Sequence, residues 1–439
     1  MLFNSLTFIV FFVVVLALHN APLSWRTKKT NLLIASYLFY AAWNPPFVLL
    51  LWLSTIVDWN IAKRLYQTEG LAQRRALLAV SIAVNLGILG FFKYGEFLLE
   101  NFVALMSLAG MSYEPAEWNI ILPIGISFYT FQTIAYSLDI YLKRAKPAKS
   151  FLDFALFVTF FPQLVAGLIV RPTHLIPQFA TPRVATPKQL YWGLALMTIG
   201  LFQKIVVADG MLAPAADAVF GATEMLHPMD AWLGTLAFSG QIFSDFAGYS
   251  TTAIGAALTL GFGLPDNFKY PCAAIGFSDF WRRWHISLSS WLRDYLYIPL
   301  GGNRKGNLRA YANLMVTMLI GGLWHGASWT FVVWGGLHGF YLAAERWLTA
   351  RFGELSVWKT LPAKIGLALL TYFLINITWV FFRAPDFTIA WQLIDTMLTF
   401  NMDGTKVLSS VFILNTLVAI STMLLIHWRM RSRSLEEVV

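Results

Sequence analysis

Long stretches without a charged residue constrain this chain more than any other feature of its sequence. Residues 310–344 contain no Asp, Glu, Lys or Arg over 35 positions, and eight further blocks of 17 to 27 residues share this property. The eight blocks are residues 6–25, 31–57, 76–92, 118–138, 154–170, 246–265, 365–382 and 407–428. A helix needs roughly 20 apolar residues to cross the hydrocarbon core of a bilayer. The pattern therefore predicts an all-α, polytopic integral membrane protein.

The number of crossings follows from the same blocks. Shorter or divided candidates lie at residues 189–203, at 231–244 and within 310–344, so we expect about eleven transmembrane helices, with interfacial or re-entrant helices besides. Only 13% of the 439 residues are charged, whereas a soluble domain carries about 25%. Since no linker or internal repeat divides the chain, residues 1–439 are expected to form a single transmembrane domain.

The net charge of +9 is distributed as in a membrane protein. The basic residues lie in short loops beside the uncharged blocks, which is the positive-inside signal of topology. No nucleic-acid-binding motif accompanies them, so we expect membrane lipid and no nucleic acid as a partner. Cys272 is the single cysteine, which excludes an intrachain disulfide, and no Cys/His spacing typical of a metal site is present.

The basic clusters also predict an orientation. Arg26, Lys28 and Lys29 follow the first block and no Lys or Arg precedes it, so this block is expected to be a retained helix and not a cleaved signal peptide. This cluster and those within 63–75, 143–149 and 429–433 are then cytoplasmic. We therefore expect a multi-pass protein whose N-terminus lies outside the cytoplasm and whose C-terminus is cytoplasmic.

Two uncharged blocks are too long for one helix. Residues 31–57 would extend about 40 Å as a helix, and Asn44-Pro45-Pro46 should break them into two pieces. Residues 310–344 would extend ~52 Å, so a break is expected around Gly321-Gly-Leu-Trp-His-Gly326. Irregular backbone at membrane depth is tolerated only inside protein or beside a water-filled cavity. His325 is therefore expected at a functional cavity.

Residues 277–309 combine aromatic and basic side chains. They are too charged to cross lipid, because one central Arg costs roughly 2.5–3.5 kcal/mol, and they are too aromatic for a solvated loop. Their tryptophans are typical of a segment at the membrane interface, and Gly301-Gly302-Asn303 indicates a turn. The arginines could bind phosphate groups or could simply anchor the segment on the cytoplasmic side.

Three histidines lie close together in the sequence: His285, His325 and His338. Such a histidine can merely hydrogen-bond a neighbouring helix, but the glycines around His325 would let a backbone or a ligand approach. Burial keeps an imidazole neutral, as a general base requires. Because no nucleophile elbow, phosphate-binding loop or zinc-protease motif is present, we expect acyl or proton transfer. Asp245 is expected to be a buried structural acid paired with a helix or an arginine.

Five stretches resemble the membrane-bound O-acyltransferase family, and within it the branch that O-acetylates bacterial polysaccharides such as alginate. They are LPIGISFY at 122–129, SDFAGYS at 244–250, FWRRWHISLS at 280–289, WLRDYLYIPLGGNR at 291–304 and GGLWHG at 321–326. The resemblance implies a helical bundle in which a funnel on each membrane face leads to a narrow tunnel. It also implies that His325 is the family's invariant catalytic histidine and that His285 is its second signature position.

The same resemblance implies the bacterial cytoplasmic (inner) membrane as the location, with a periplasmic N-terminus, and it implies the substrates. The acyl donor would be cytoplasmic acetyl-CoA, with no bound cofactor, and the acetyl group would pass to an exported, alginate-like polysaccharide or to a periplasmic or membrane-anchored acetyltransferase partner. His285 would orient the acceptor or the thioester carbonyl and help to polarise the oxyanion. The alternatives are a lipid or protein O-acyltransferase of the same family and a non-enzymatic lipid or sugar transporter. Substrate-binding residues at the cytoplasmic entrance would be Trp281, Arg282, Arg283, Trp284, Arg293, Asn303, Arg304 and Trp324.

Overall fold

The computed structural model describes residues 1–116, 118–399, 402–433 and 437, and within these ranges it is helical and contains no β-strand. This confirms the predicted all-α fold. The α-helices are α1 (Leu6–Asn20), α2 (Trp25–Ala41), α3 (Val48–Gln67), α4 (Leu71–Leu89), α5 (Gly95–Leu108), α6 (Ile126–Tyr141), α7 (Phe151–Thr159), α8 (Phe161–Leu164), α9 (Pro172–Phe179), α10 (Pro187–Phe202), α11 (Ala213–Phe220), α12 (Pro228–Thr259), α13 (Phe277–Arg283), α14 (Ile286–Leu292), α15 (Gly306–His325), α16 (Trp329–Phe352), α17 (Leu361–Arg383), α18 (Phe387–Thr399) and α19 (Ser410–Met430).

Five helical stretches of the described residues are long and apolar enough to cross a membrane. They are Pro45–Gln67, Leu71–Leu108, Pro187–Phe220, Leu361–Arg383 and Ser410–Met430. The second and third run through π-helical turns at Gly90–Tyr94 and Gln203–Leu212, which join α4 to α5 and α10 to α11. Many large apolar side chains on these stretches are exposed, as lipid-facing residues are. The chain is a multi-pass membrane protein, and the count of about eleven crossings remains a prediction.

The boundaries of several predicted spans are wrong. Residues 154–170 are not one continuous helix, because α7 ends at Thr159 and the four-residue α8 begins at Phe161, and a crossing by this block remains a prediction. Residues 231–244 and 246–265 were expected to be separate, but α12 runs through both as one helix of 32 residues. Helix α6 begins only at Ile126, so the first part of the block 118–138 is not helical.

The two breaks inferred from block length are confirmed. Helix α2 ends at Ala41 and α3 begins at Val48, with a 3₁₀ turn at Pro45–Phe47 between them. Helix α15 ends at His325, and α16 begins at Trp329 after Ser328, whose hydroxyl accepts the Thr330 N–H. The turn at Gly301-Gly302 is also present, with φ values of 117° and 52°.

The described residues form two compact units. One consists of Met1–Thr198 and Tyr249–Pro265, and the other of Ile199–Gly248 and Asp266–Val439. The first unit packs α3, α4 and α6 around a buried polar network, in which Asp58 accepts hydrogen bonds from Asn85 and Ser137. The second unit has an aromatic and aliphatic core formed by residues from Leu212 to Met423 along the chain. This unit also contains both candidate catalytic histidines. The single domain expected over residues 1–439 remains a prediction.

Helices α15 and α16 pack as an antiparallel hairpin, and glycines allow their close approach. A Cβ on Gly322 would lie 2.2 Å from the Phe331 carbonyl oxygen, and one on Gly335 would lie 2.3 Å from the Met318 carbonyl oxygen. The glycines near His325 therefore admit the backbone of the next helix, which was one of the two reasons expected for them. The hairpin holds His325 at its tip.

Candidate active site

His325 is the last residue of α15, and its ring lies among aromatic side chains. The ring centroids of Trp324 and Trp334 are each 5.0 Å from that of His325, and the centroid of Phe382 is 5.3 Å away. Gly326 follows in an extended conformation, so the chain leaves the helix directly after the imidazole. His325 is half-buried, whereas His285 and His338 are 1% and 0% exposed. As a whole residue, His325 is thus the most exposed of the three, although its Nε2 atom is buried.

His285 comes to the same place from the segment between α13 and α14. Its ring centroid lies 6.4 Å from that of His325, and Trp324 contacts both rings. The pairing of these two histidines agrees with the sequence expectation. The backbone of His285 has left-handed values, with a φ of 43° and a ψ of 56°. Such values are uncommon for a residue with a side chain and must be supported by the surrounding structure.

Burial decides the charge state of His285. The Phe246 ring meets the imidazole edge-on, with centroids 4.7 Å apart, and Asn267 Oδ1 lies 3.2 Å from its Nδ1. Because a charged imidazole would lose its hydration here, burial lowers the pKa of His285 to about 3. The ring is therefore neutral near pH 7.

Contacts from three other elements hold α13, which precedes His285. The Glu345 carboxylate accepts the backbone N–H groups of Phe277 and Ser278 at 2.6 and 2.9 Å, and Thr371 Oγ1 accepts that of Gly276 at 2.9 Å. Asp279 binds Arg283 at 2.9 Å and Arg431 at 2.7 Å. Burial by itself would raise the pKa of Asp279, but the Ile275 N–H and these two arginines outweigh burial and lower it. The carboxylate therefore stays charged and holds the segment in place.

His338 contacts Trp334, as His325 does. Its ring centroid is 4.7 Å from that of Trp334 and 5.1 Å from that of Trp281. Its Nε2 lies 3.1 Å from Thr378 Oγ1, which donates its own proton to the Ile375 carbonyl. The two histidines share an aromatic neighbour because the break at 326–328 turns α16 back against α15.

The three tryptophans proposed to bind substrate have different surroundings. Trp324 contacts both His285 and His325, and Trp281 packs against Trp334 and His338. Trp284 is 3% exposed and packs against Phe268 and Trp379. Trp324 therefore belongs to the histidine pair, whereas Trp284 is part of the core of its unit.

The polar residues proposed to bind substrate fall into two groups. Arg282, Arg293, Asn303 and Arg304 are exposed. Asn303 Oδ1 accepts from Tyr297 Oη at 2.6 Å and from Arg346, and Arg293 pairs with Asp294 at 2.8 Å. Arg283, in contrast, donates to Asp279 and to the carbonyl oxygens of Lys269 and Arg431. A binding role for all of these residues remains a prediction, and for Arg283 these bonds already give the guanidinium a structural role.

Asp245 differs from its expected environment. Its carboxylate pairs with Lys204, not with a helix terminus or an arginine, and its side chain is 46% exposed. Lys204 also binds Asp209 at 2.9 Å. The prediction of a buried acid is therefore wrong, because the partner lies in the adjacent π-helical stretch and the pair remains accessible to solvent.

Several residues at the site could not be found from the sequence. Asn267, Trp334, Glu345 and Arg346 carry no recognisable spacing, and they reach the histidines or the basic segment only through the tertiary fold. The funnels and the tunnel that the resemblance implies also remain predictions. Within the described ranges, no group of three or more His, Cys, Asp or Glu side chains is arranged to hold a metal ion.

Comparison with known proteins gives consistent matches. Residues 142–382 match the sequence model of the membrane-bound O-acyltransferase family. The chain is 41% identical over 405 residues to a probable alginate O-acetylase AlgI of Pseudomonas aeruginosa. The aligned region covers 91% of this chain and 75% of that protein. It is 39% identical over 432 residues to a peptidoglycan O-acetyltransferase of Helicobacter pylori, covering 91% and 80%. A teichoic acid D-alanyltransferase of Bacillus subtilis is 30% identical over 249 residues, covering 52% and 61%.

Proposed function

Since this chain belongs to the membrane-bound O-acyltransferase family and is thus a multi-pass membrane acyltransferase, we propose that it serves the O-acetylation of an exported, alginate-like polysaccharide. The chain takes the acetyl group from cytoplasmic acetyl-CoA and passes it across the inner membrane. The names of the relatives support this choice of acyl group. Two O-acetyltransferases match over 91% of the chain, whereas the D-alanyltransferase matches over 52%. The observation that carries the proposal is the half-buried His325 at the tip of the α15–α16 hairpin, 6.4 Å from His285 between ring centroids.

The reaction assigns a proton transfer to His325. The hydroxyl oxygen of the acceptor attacks the carbonyl carbon of the acetyl thioester while His325 takes the hydroxyl proton. The carbon–sulfur bond then breaks, the sulfur receives the proton from His325, and free CoA and an acetyl ester result. The acceptor hydroxyl belongs to the glycan itself or to a periplasmic or membrane-anchored acetyltransferase that completes the transfer. His285 orients a reacting group beside His325.

The exposed basic residues supply the donor site in this proposal. Arg282 and Arg304 are accessible, and guanidinium groups pair well with the phosphates of a CoA nucleotide. Asn303 and Arg346 are joined by a hydrogen bond next to the Gly301-Gly302 turn, which places a second guanidinium beside Asn303. The phosphates would be held at this polar surface, while the pantetheine arm with its terminal acetyl group extends towards the aromatic residues around His325.

The test is turnover of acetyl-CoA labelled in its acetyl group by the purified chain in lipid nanodiscs, with an oligosaccharide acceptor and any required partner. Transfer of label to the acceptor with release of free CoA is expected. His325→Ala should reduce transfer to background without lowering the folded yield, because no other group at the site replaces the lost base. His174→Ala is the matched control, since His174 is exposed and bonds only a backbone carbonyl among the contacts described for it.

Other outcomes would replace the proposal. Full turnover in the His325→Ala variant would exclude the catalytic role of this histidine. For a test of transport, the chain is reconstituted in lipid vesicles. Movement of a lipid or a sugar across the vesicle bilayer without thioester cleavage would show a transporter. Mass spectrometry of the products would detect a lipid or a protein as the acylated species, and either would exclude the glycan as the acceptor.

A further inference from the structure

Three donors converge on the side-chain oxygen of Asn267. Asn267 Oδ1 lies 3.2 Å from the backbone nitrogen of Ser287, 2.8 Å from Ser287 Oγ and 3.2 Å from His285 Nδ1. Asn267 and Ser287 are buried, at 1% and 6% exposure. A backbone N–H can only donate, so the atom at this position accepts and is the oxygen of the amide, not its nitrogen.

The acceptor at Asn267 determines where His285 carries its proton. The Ser287 hydroxyl donates to Asn267 Oδ1 at 2.8 Å, so its proton is not directed at His285 Nδ1, which is 3.4 Å away. Two lone pairs facing each other at 3.2 Å would repel, and His285 Nδ1 must therefore be the protonated nitrogen of the ring. A neutral imidazole carries one N–H, so Nε2 keeps its lone pair.

We propose that Asn267 is a positioning residue of the active site, which fixes His285 as the Nδ1–H tautomer so that His285 Nε2 accepts a hydrogen bond from a hydroxyl group of the acceptor substrate other than the one that reacts. This inference rests on the proposed function for the identity of the substrate, but not for the tautomer. Burial, which keeps the ring neutral, agrees with it.

The tautomer selects one of the two roles open to His285. Polarising an oxyanion requires an N–H donor, and the single N–H of the ring is bound to Asn267. An unprotonated Nε2 instead accepts a hydrogen bond from a neighbouring hydroxyl group of the acceptor and so orients the reacting hydroxyl towards the thioester. His325, whose ring lies 6.4 Å away between centroids, removes the proton of the reacting hydroxyl, so each hydroxyl proton has one acceptor. In this arrangement one histidine orients the acceptor hydroxyl and the other activates it.

Asn267 also supports the backbone of His285, and the two effects must be separated. The Asn267 carbonyl accepts the Ile286 N–H at 2.9 Å, and the Lys269 N–H donates to the Arg283 carbonyl at 2.9 Å. These backbone bonds hold the left-handed turn at His285 and do not need the amide side chain. A substitution of Asn267 that keeps the backbone bonds therefore tests the side chain alone.

The direct test is ¹⁵N NMR of the whole chain in nanodiscs with labelled histidine, where the His285 signals among the seven histidines are assigned by their loss in His285→Gln. We expect a protonated Nδ1 and an unprotonated Nε2 in the unsubstituted chain and in Ser287→Ala. In Asn267→Leu, which has a similar volume and no acceptor, the released Ser287 hydroxyl can donate to Nδ1, and the proton should move to Nε2. A protonated Nε2 in the unsubstituted chain would overturn the proposal.

Kinetics then separate positioning from packing. Asn267→Leu should lower kcat by roughly tenfold or more, the equivalent of one lost hydrogen bond in the transition state, with little change in the KM for acetyl-CoA. In a His285→Ala background the same substitution should have no further effect on kcat. An equal loss in both backgrounds, or normal kcat in Asn267→Leu, would contradict the positioning role. An inactive unsubstituted chain with the expected tautomer would instead reject the proposed function and leave the tautomer assignment intact.

Discussion

Arg283 and Arg304 belong to one basic segment, but their guanidinium groups have different surroundings. Arg283 binds Asp279 and two backbone carbonyls, and its side chain is 16% exposed. Arg304, which follows the Gly301-Gly302 turn, is exposed. We therefore expect Arg304→Ala to raise the KM for acetyl-CoA by about tenfold, the value of one charge-assisted hydrogen bond, with normal thermal stability. Steady-state kinetics and a thermal melt in detergent measure both quantities.

Arg283→Ala should show the opposite pattern. Loss of the guanidinium leaves the largely buried Asp279 carboxylate with one arginine fewer, and we expect destabilisation by about 1–3 kcal/mol. The KM for acetyl-CoA should change little in the protein that remains folded. A tenfold increase in KM at unchanged melting temperature would instead assign Arg283 to the donor site.

The pH dependence of turnover should distinguish the two histidines. Because burial lowers the pKa of His285 to about 3, this ring stays neutral from about pH 5 to pH 8, the range in which an ordinary histidine gains its charge on acidification. Any decrease of kcat on acidification within that range must then come from another group. We expect His285→Gln to lower kcat at every pH while the midpoint of the decrease stays where it is in the unsubstituted enzyme. A displaced midpoint would show that His285 itself titrates there.

At the scale of single elements, the hairpin of α15 and α16 depends on backbone contact at Gly322. A methyl group there would lie 2.2 Å from the Phe331 carbonyl oxygen, so the helices would have to separate. We expect Gly322→Ala to destabilise the protein by about 1–3 kcal/mol and to reduce turnover, because His325 lies one turn further along α15. Thermal unfolding and acetyl transfer in detergent measure the two effects.

Gly366 provides the matched control for that substitution. It lies inside α17, and no atom within 4 Å would meet an added Cβ. Gly366→Ala should therefore change stability by less than ~1 kcal/mol, in the direction of the better helix former. Equal destabilisation by both substitutions would show that the effect of Gly322→Ala does not come from the close packing of α15 against α16.

The success of sequence interpretation differs between helix breaks, helix extents and side-chain partners. The breaks at Asn44-Pro45-Pro46 and near His325 were predictable because block length and proline chemistry set them locally. The extent of α12 was not, because a charge-free block does not define a helix: Asp245 lies within α12 and pairs with Lys204, so a charge does not end it. Asn267 was missed because it meets His285 only where the chain folds back.

At the scale of the first compact unit, three basic clusters lie at one end. Arg74, at the start of α4, donates to the carbonyl oxygens of Thr68 and Tyr141, which places the loops at 68–70 and 142–150 side by side. Lys29, near the start of α2, pairs with Asp153 in the first turn of α7, directly after the second of these loops. Three of the four clusters that the sequence assigns to the cytoplasm therefore share one end of this unit, as the positive-inside rule requires.

This arrangement makes a topological prediction that the chain's single cysteine helps to test. Cys272 is packed against Met423, and burial raises the pKa of its thiol, so it should not react with maleimides in the folded protein. Glu69→Cys and Lys146→Cys place exposed thiols in the two adjoining loops, and Met111→Cys places one beyond α5, at the far end of the 38-residue stretch Leu71–Leu108. In intact spheroplasts, a membrane-impermeant maleimide should label Met111→Cys but neither loop variant, and all three should react after permeabilisation. Different accessibility of positions 69 and 146 would contradict the shared end, whereas labelling of both with protection of 111 would invert the orientation expected for this unit.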